Sequence, residues 1–122
     1  MTALLALVVG TAVWGQGRWE APADAKKLKN PIQKSGKVLA KAKKIFETNC
    51  VPCHGVKGMG DGVAAVALPV KPADWTSPPT QSETDGALFW KITNGRGPMP
   101  PWRHLPEQDR WALVHFIRTF KK

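Results

Sequence analysis

Five consecutive residues, Cys50-Val51-Pro52-Cys53-His54, carry the clearest chemical signal in this chain. Two thiols two residues apart, followed directly by an imidazole, are the attachment signature of c-type haem. The thiols form thioether bonds to the two vinyl groups of one porphyrin, and the imidazole binds its iron. The chain has only two cysteines, so its whole cysteine content lies in this motif. The motif predicts one covalently attached haem c, bound through Cys50, Cys53 and His54.

Three other kinds of site use two cysteines at this spacing. A thioredoxin-like redox pair follows a strand, whereas the residues before Cys50 have helical periodicity. A structural zinc site needs four ligands, and beyond the motif only His104 and His115 remain as histidines. A disulfide across two intervening residues closes a loop too small to stabilise a fold appreciably. These considerations favour haem.

The N-terminal segment predicts export. Residues 1–15 carry no charge, and residues 3–14 form an apolar stretch that is short for a membrane span but typical of a signal-peptide core. Cleavage would follow Gly15. The usual positively charged leader residues are missing, so an uncleaved anchor is the alternative. Because this kind of haem attachment takes place outside the cytoplasm, we expect a periplasmic or otherwise extracytoplasmic protein, free or membrane-anchored.

The positive charge is concentrated in the first third of the chain. The net charge is +9, and residues 18–44 contribute nine basic and two acidic residues, whereas residues 45–120 contain seven of each. An exported haem protein has little reason to meet nucleic acid. We therefore expect redox protein partners with acidic docking surfaces, or an anionic membrane surface. A basic face that only aids solubility is the alternative.

The pattern along the chain predicts helices only. Residues 16–34 contain prolines and lysines and predict an extended basic arm rather than a regular element, before a domain at 35–122. Ser35 is a candidate N-cap for a helix that runs into Cys50. Its apolar positions recur at helical spacing, and its lysines lie on the opposite, exposed face. The apolar residues are Val38, Leu39, Ala42, Ile45 and Phe46, and the lysines are Lys37, Lys41 and Lys44.

The rest of the domain predicts a long loop and two further helices. Residues 55–79 are rich in glycine and proline, and so long an irregular segment indicates a chain wrapped around a ligand. Residues 82–85 begin a helix that ends at Asn94-Gly95, and Pro106 opens a largely apolar last helix. With no convincing strand, the fold class is all-α, with three to five helices around one haem.

The second axial ligand of the iron is predicted from chain geometry. Met99 lies in the segment Pro98-Met99-Pro100-Pro101, whose prolines hold the backbone near extended geometry and stiffen it. Met59 follows His54 too closely to reach the opposite face of a porphyrin. His104 and His115 are the remaining candidates, although His115 falls among apolar residues within a helix. Met99 is the favoured ligand.

The combination of Cys50-Val51-Pro52-Cys53-His54 after a first helix and Pro98-Met99-Pro100 before a last one resembles class I cytochromes c. The segments at 58–62, 71–75 and 86–92 are similar to those of the small periplasmic members with one haem. The resemblance implies thioethers at Cys50 and Cys53, His54 as proximal ligand and Met99 as distal ligand.

The resemblance also implies contacts around the ligands. A proline carbonyl, of Pro69 or Pro72, would accept the hydrogen bond of the proximal histidine. The first and last helices would cross where Phe46 meets Trp111. Ala42 departs from the glycine common at that crossing, and Pro106 departs from the usual serine-type cap.

Three functions remain open at this point. The first is a one-electron shuttle, without enzymatic activity because both axial positions are filled. The second is a haem-bearing subunit of a larger respiratory or dehydrogenase complex, with the arm at 16–34 as its docking segment. The third is a gas sensor or peroxidase in which Met99 leaves the iron. Because the proline segment around Met99 is rigid, the gas sensor or peroxidase is the least favoured of the three functions.

Overall fold

The computed structural model describes residues 18–122, so the predicted leader at 1–15 lies outside the described residues. The described chain is helical, its one β-type contact being an isolated bridge between Arg96 and Met99. The helices are α1 (Ala23–Lys26), α2 (Gly36–Asn49), α3 (Val51–His54), α4 (Pro78–Gln81), α5 (Asp85–Asn94) and α6 (Glu107–Arg118), with a 3-10 turn at Ala65–Ala67. The predicted all-α class is confirmed, with three long helices and three of a single turn. Among the described residues, no helix has the length and apolarity needed to cross a membrane.

Helices α2 and α5 begin where the sequence predicts, and α5 also ends where it predicts. Ser35 caps α2, its hydroxyl accepting a hydrogen bond from the Val38 amide at 3.2 Å. Thr84 caps α5 in the same way, with the Ala87 amide at 3.1 Å. Each cap satisfies an amide that the first turn of a helix leaves without a partner. Gly95, at φ 60°, ends α5 in a conformation that favours glycine.

Helices α2 and α6 cross at the centre of the core. Ala42 of α2 and Val114 of α6 are fully buried there. Phe46 contacts the rings of Phe116 and Phe120, with centroids at 5.0 and 5.6 Å. The predicted crossing is present, but the ring partners differ from the expected pair. The ring partners of Phe46 lie five and nine residues beyond Trp111, which itself stacks on Phe89 at 3.9 Å.

The segment before α2 packs against the helices. The prediction of an extended arm was wrong for residues 23–26, which form α1. Ala21 and Ala25 are buried against Ala87 of α5. Further along, the Asn30 side-chain amide donates to the Trp111 carbonyl at 3.1 Å, which ties the segment to α6. Buried alanines allow this close approach, whereas the pattern of prolines and lysines indicated only an irregular chain.

The packing of α1 on α5 yields a stability prediction. A Cβ at Gly86 would lie 2.0 Å from the Ala25 carbonyl oxygen, so backbone atoms would have to move. We expect Gly86→Ala to lower the free energy of unfolding by about 2 kcal/mol or more. Gly36→Ala is the matched control, because no atom lies within 4 Å of its Cβ position. Its effect should stay within about 1 kcal/mol. Denaturant unfolding of the haem-loaded protein, followed by circular dichroism, measures both, and equal losses would contradict the packing.

Candidate haem site

The motif forms a single helical turn that continues from α2. The amides of Cys53 and His54 both donate to the Cys50 carbonyl, at 3.2 and 2.8 Å. Both thiols are therefore held on one turn of backbone, and both are free and half-buried. This is the arrangement that two adjacent thioether bonds to one porphyrin require.

The glycine-rich segment that follows folds back onto this turn. The amides of Gly60, Gly62 and Ala64 donate to the carbonyls of His54, Cys53 and Pro52, at 2.9, 3.0 and 2.9 Å. These carbonyls end a helix and would otherwise lack partners. A Cβ at Gly62 would lie 2.3 Å from the Pro52 oxygen, so only glycine permits the approach. The long loop predicted at 55–79 is thus fixed to the motif by its own backbone.

The imidazole of His54 is buried and oriented by a backbone carbonyl. Its Nδ1 lies 3.1 Å from the carbonyl oxygen of Ala73. A carbonyl can only accept, so Nδ1 carries the proton and Nε2 keeps the lone pair that binds a metal. Burial lowers the pKa of His54 below its ordinary value, against the opposing effect of this hydrogen bond. The expected acceptor, Pro69 or Pro72, was wrong, because the carbonyl that faces the ring belongs to the residue after Pro72.

Trp75 covers the imidazole and links it to the core. The two ring centroids are 4.4 Å apart, with an angle of 30° between the planes. Trp75 also packs on Phe46 at 5.4 Å and donates its amide to the Gly58 carbonyl at 2.7 Å. Gln81 fixes the Trp75 carbonyl from the other side, with its Nε2 at 2.6 Å. The His54 imidazole is therefore held in place by one hydrogen bond and one aromatic contact.

The fold does not activate the thiol of Cys50 as a nucleophile. Burial, and then the neighbouring Cys53, raise the pKa of Cys50 to about 12. A thiol with so high a pKa is a poor nucleophile at neutral pH, unlike the depressed thiols of redox pairs. Cys50 therefore lacks the thiolate character of a redox-active cysteine pair.

Met99 lies half-buried between α5 and α6, in a turn closed by two hydrogen bonds. Arg96 and Met99 exchange amide-to-carbonyl bonds of 3.0 and 2.9 Å. The sequence predicted an extended segment here, and the structure has a tight turn instead. The turn can form because the amide of Met99 has a hydrogen-bond acceptor although prolines flank the residue. Gly95 makes room for the turn, since a Cβ there would lie 2.6 Å from the Met99 oxygen.

The other candidate axial ligands lie elsewhere. Met59 is at the surface in the loop after the motif, and His104 is exposed. His115 Nε2 lies 2.5 Å from the Ile32 carbonyl, which therefore accepts its proton. That nitrogen is engaged with the segment before α2.

The donor set fits a covalently held porphyrin. The thiols of one turn, an imidazole with a free Nε2 and a half-buried thioether on a separate turn are the groups that a c-type haem uses. Within residues 18–122, no group of three or more His, Cys, Asp or Glu side chains gathers as a metal-ion site. The described residues therefore do not supply the four ligands of a structural zinc site.

Sequence reasoning missed the residues that orient His54. Ala73 acts through its backbone, which side-chain patterns do not reveal. The sequence indicates Trp75 only as part of a segment similar to those of class I cytochromes c, and it gives no signal for Gln81. Only one feature of the sequence indicated contacts to His54 from this region, namely the long segment rich in glycine and proline. Its folded path brings these residues to the motif.

Comparison with known proteins places the chain among haem proteins. The family model described as "Cytochrome C oxidase, cbb3-type, subunit III" matches residues 37–117. The chain is also similar to the cbb3-type cytochrome c oxidase subunit CcoP of Azospirillum sp. (strain B510), with 39% identity over 91 residues. That match covers 70% of this chain and 29% of the relative, so the chain spans under a third of the relative's length.

Two solved structures share the fold. A chain of the Kuenenia stuttgartiensis reducing HAO-like protein complex Kustc0457/Kustc0458 superposes with a TM-score of 0.66 and 26% identity, covering 88% of this chain and 53% of that one. The KustC0563 c-type cytochrome superposes with a TM-score of 0.58 and 26% identity, covering 66% of this chain and 98% of that one.

The contact between Trp75 and His54 predicts an effect on the midpoint potential of the haem. Trp75→Leu removes the aromatic cover and admits water beside the imidazole, which favours the more highly charged ferric state. We expect the midpoint potential of the haem-loaded protein to fall by tens of millivolts. Trp75→Phe keeps a ring over His54 and should lose less than half as much. Spectroelectrochemical titration measures both, and equal potentials in all three proteins would contradict a role for the aromatic contact.

Proposed function

The chain belongs to the cbb3-type cytochrome c oxidase subunit III family, and on that premise we propose that it is an exported one-electron carrier with a single haem c. Membership implies covalently bound haem c, and the fold is that of small class I-like c-type cytochromes, as the resemblance implied. One motif and two cysteines support the count of one haem.

The observation that carries the proposal is the pairing of His54 Nδ1 with the Ala73 carbonyl. It leaves Nε2 free beside two thiols on one helical turn. Cys50 and Cys53 would hold the porphyrin, and His54 would bind its iron. Haem in such a site supplies one-electron oxidation and reduction at iron.

Met99 is the proposed second axial ligand. A thioether opposite an imidazole raises the reduction potential relative to two imidazoles. The hydrogen-bonded turn at Arg96 and Met99 fixes the backbone that carries the thioether, and the backbone contact at Gly95 supports that turn. With His54 and Met99 both bound to the iron, no position would remain for a substrate, so we propose electron transfer without enzymatic activity.

The printed names of the relatives favour a second candidate, a subunit of a larger complex. One relative is an oxidase subunit and one structure is a multi-protein complex. A free periplasmic shuttle and a bound subunit need the same haem site. Gel filtration of the protein from its native host separates them, since a shuttle elutes at its own mass and a subunit elutes with its partners.

The axial-ligand proposal predicts a defined spectral change. In Met99→Ala, the weak long-wavelength absorption that arises from a sulfur–iron bond should vanish from the oxidised protein, while covalent haem remains. The ferrous variant should also bind carbon monoxide at neutral pH, whereas the wild type should not. Visible spectra of both redox states provide the measurement.

Met59→Ala is the matched control, since it removes the other described methionine and should leave the spectrum unchanged. An unchanged spectrum in Met99→Ala would move the axial ligand to another residue. Rapid carbon monoxide binding by the wild type would instead favour a sensor or peroxidase.

A further inference from the structure

The main-chain carbonyl of Trp75 lies where the neighbouring backbone supplies no donor. In a turn or a helical segment, a carbonyl accepts the amide of the residue three or four positions ahead. Those residues are Pro78 and Pro79, which have no amide hydrogen. Trp75 is buried, so its carbonyl needs a donor from elsewhere in the chain. The donor is a side chain, with the Nε2 of Gln81 at 2.6 Å.

The same nitrogen of Gln81 binds a second carbonyl. Nε2 lies 3.0 Å from the carbonyl oxygen of Ile117, in the last turn of α6, where helical carbonyls lack intrahelical partners. A carboxamide nitrogen carries two hydrogens, so Gln81 can donate to both carbonyls at once. The opposite orientation of the amide would place its oxygen against two carbonyl oxygens, none of which can donate. The side chain therefore joins the loop that carries Trp75 to the C-terminal helix.

Arg118 and Asp85 hold Gln81 in this position. The Nη1 of Arg118 donates to the main-chain carbonyl of Gln81 at 3.1 Å. Its Nε and Nη2 both donate to Oδ1 of Asp85, at 3.0 and 2.7 Å. Because Asp85 begins α5 and Arg118 ends α6, these bonds attach the single turn α4, which carries Gln81, to both long helices. The backbone of Gln81 is thereby fixed beside the two carbonyls that its side chain binds.

Both contacts that orient the His54 imidazole come from residues 73–75. The Ala73 carbonyl accepts the hydrogen bond of Nδ1 at 3.1 Å, and the Trp75 ring covers the imidazole with 4.4 Å between the centroids. The Trp75 backbone is bound on both sides, because its amide donates to the Gly58 carbonyl at 2.7 Å and its carbonyl accepts from Gln81. A displacement of this backbone would therefore move the Trp75 ring and the Ala73 carbonyl together.

We propose that Gln81 is a positioning residue for the haem ligand His54, and that it acts through Trp75. The inference rests on the proposed electron-transfer function and assigns one determinant of its reduction potential. By binding the Trp75 carbonyl, the carboxamide keeps the indole ring over the imidazole and keeps water away from it. Exclusion of water beside a haem ligand disfavours the more highly charged ferric state, so Gln81 raises the reduction potential.

Asn30 provides a matched comparison for Gln81. Its side-chain amide also donates to a carbonyl of α6, that of Trp111, at 3.1 Å. Its side-chain oxygen accepts from the Ile32 amide at 3.0 Å, so its bonds go to α6 and to the segment before α2 rather than to the loop around His54. Loss of either side-chain amide removes a hydrogen bond to α6 and lowers stability. Only the loss of the Gln81 amide should change the reduction potential.

Two substitutions of similar shape test the proposal in the haem-loaded protein. Gln81→Met keeps the length of the side chain but has no donor, and Asn30→Leu is the corresponding change in the control. We expect Gln81→Met to lower the midpoint potential by at least half the fall measured for Trp75→Leu. Asn30→Leu should leave the potential within experimental error of the wild type. Spectroelectrochemical titration gives the potentials, and denaturant unfolding of each variant separates a change in potential from a loss of stability.

A double variant tests whether Gln81 acts through the indole ring. Once Trp75→Leu has removed the ring, Gln81→Met has no indole to displace, so adding it should produce less than half of its effect on the wild-type potential. The part that remains would reflect displacement of the Ala73 carbonyl. Half or more of that effect in the double variant would show that Gln81 acts by another route, and would overturn the proposal. Equal potentials in the wild type and Gln81→Met, or an equal fall in Asn30→Leu, would also overturn it.

Gln81→Asn provides the test if Gln81→Met does not retain haem. It shortens the side chain by one carbon–carbon bond, about 1.5 Å, which withdraws the amide from both carbonyls. We expect the midpoint potential to fall in the same direction as in Trp75→Leu, and an unchanged potential would overturn the role of Gln81.

The wild-type titration separates this inference from the proposed function. A wild type without covalent haem, or without a reversible one-electron transition, would overturn the function together with the role of Gln81. A wild type that titrates reversibly beside Gln81 variants of unchanged potential would overturn the role of Gln81 alone.

Discussion

Backbone carbonyls at the end of the Cys50–His54 turn need hydrogen-bond donors, and the segment after the motif supplies them. Three amides from residues 60–64 meet three carbonyls of the turn, at distances that leave no space for a Cβ at Gly62. An unmet carbonyl in this place would cost about 1–3 kcal/mol. Because these bonds fix the path of the segment from residue 55 onward, they also determine the positions of Ala73 and Trp75. The orientation of His54 depends on those two positions.

The core couples this loop to the crossing of α2 and α6. Trp75 contacts both His54 and Phe46, and Phe46 in turn contacts two aromatic residues at the C-terminal end of the chain. Arg118 closes the arrangement, bonding the Asp85 carboxylate at 2.7 Å and the Gln81 carbonyl at 3.1 Å. The same helix crossing that buries apolar area therefore holds the imidazole in place, which links stability to redox function.

The sequence predicted the parts of the site that depend on side-chain type and local spacing. The motif, the cap at Ser35, the start of α5 within residues 82–85 and its end at Gly95 followed from short-range chemistry. The acceptor for His54 could not be predicted because it is a backbone atom brought close by a long loop. The packing of residues 18–34 was missed for a related reason, since it depends on small buried alanines meeting Gly86 rather than on an apolar period. Local rules predicted the side-chain types of the site, and tertiary contacts determined the orientation of His54.

We infer that this chain binds one haem covalently through two thioether bonds, and that the haem iron gains and loses one electron. The most direct measurement is a potentiometric titration of the exported protein, combined with the intact mass under denaturing conditions. We expect a mass increase of one haem that survives denaturation, and a single reversible transition with a one-electron slope. Haem that dissociates on denaturation, or a chain that carries none after export in a host competent for attachment, would contradict it.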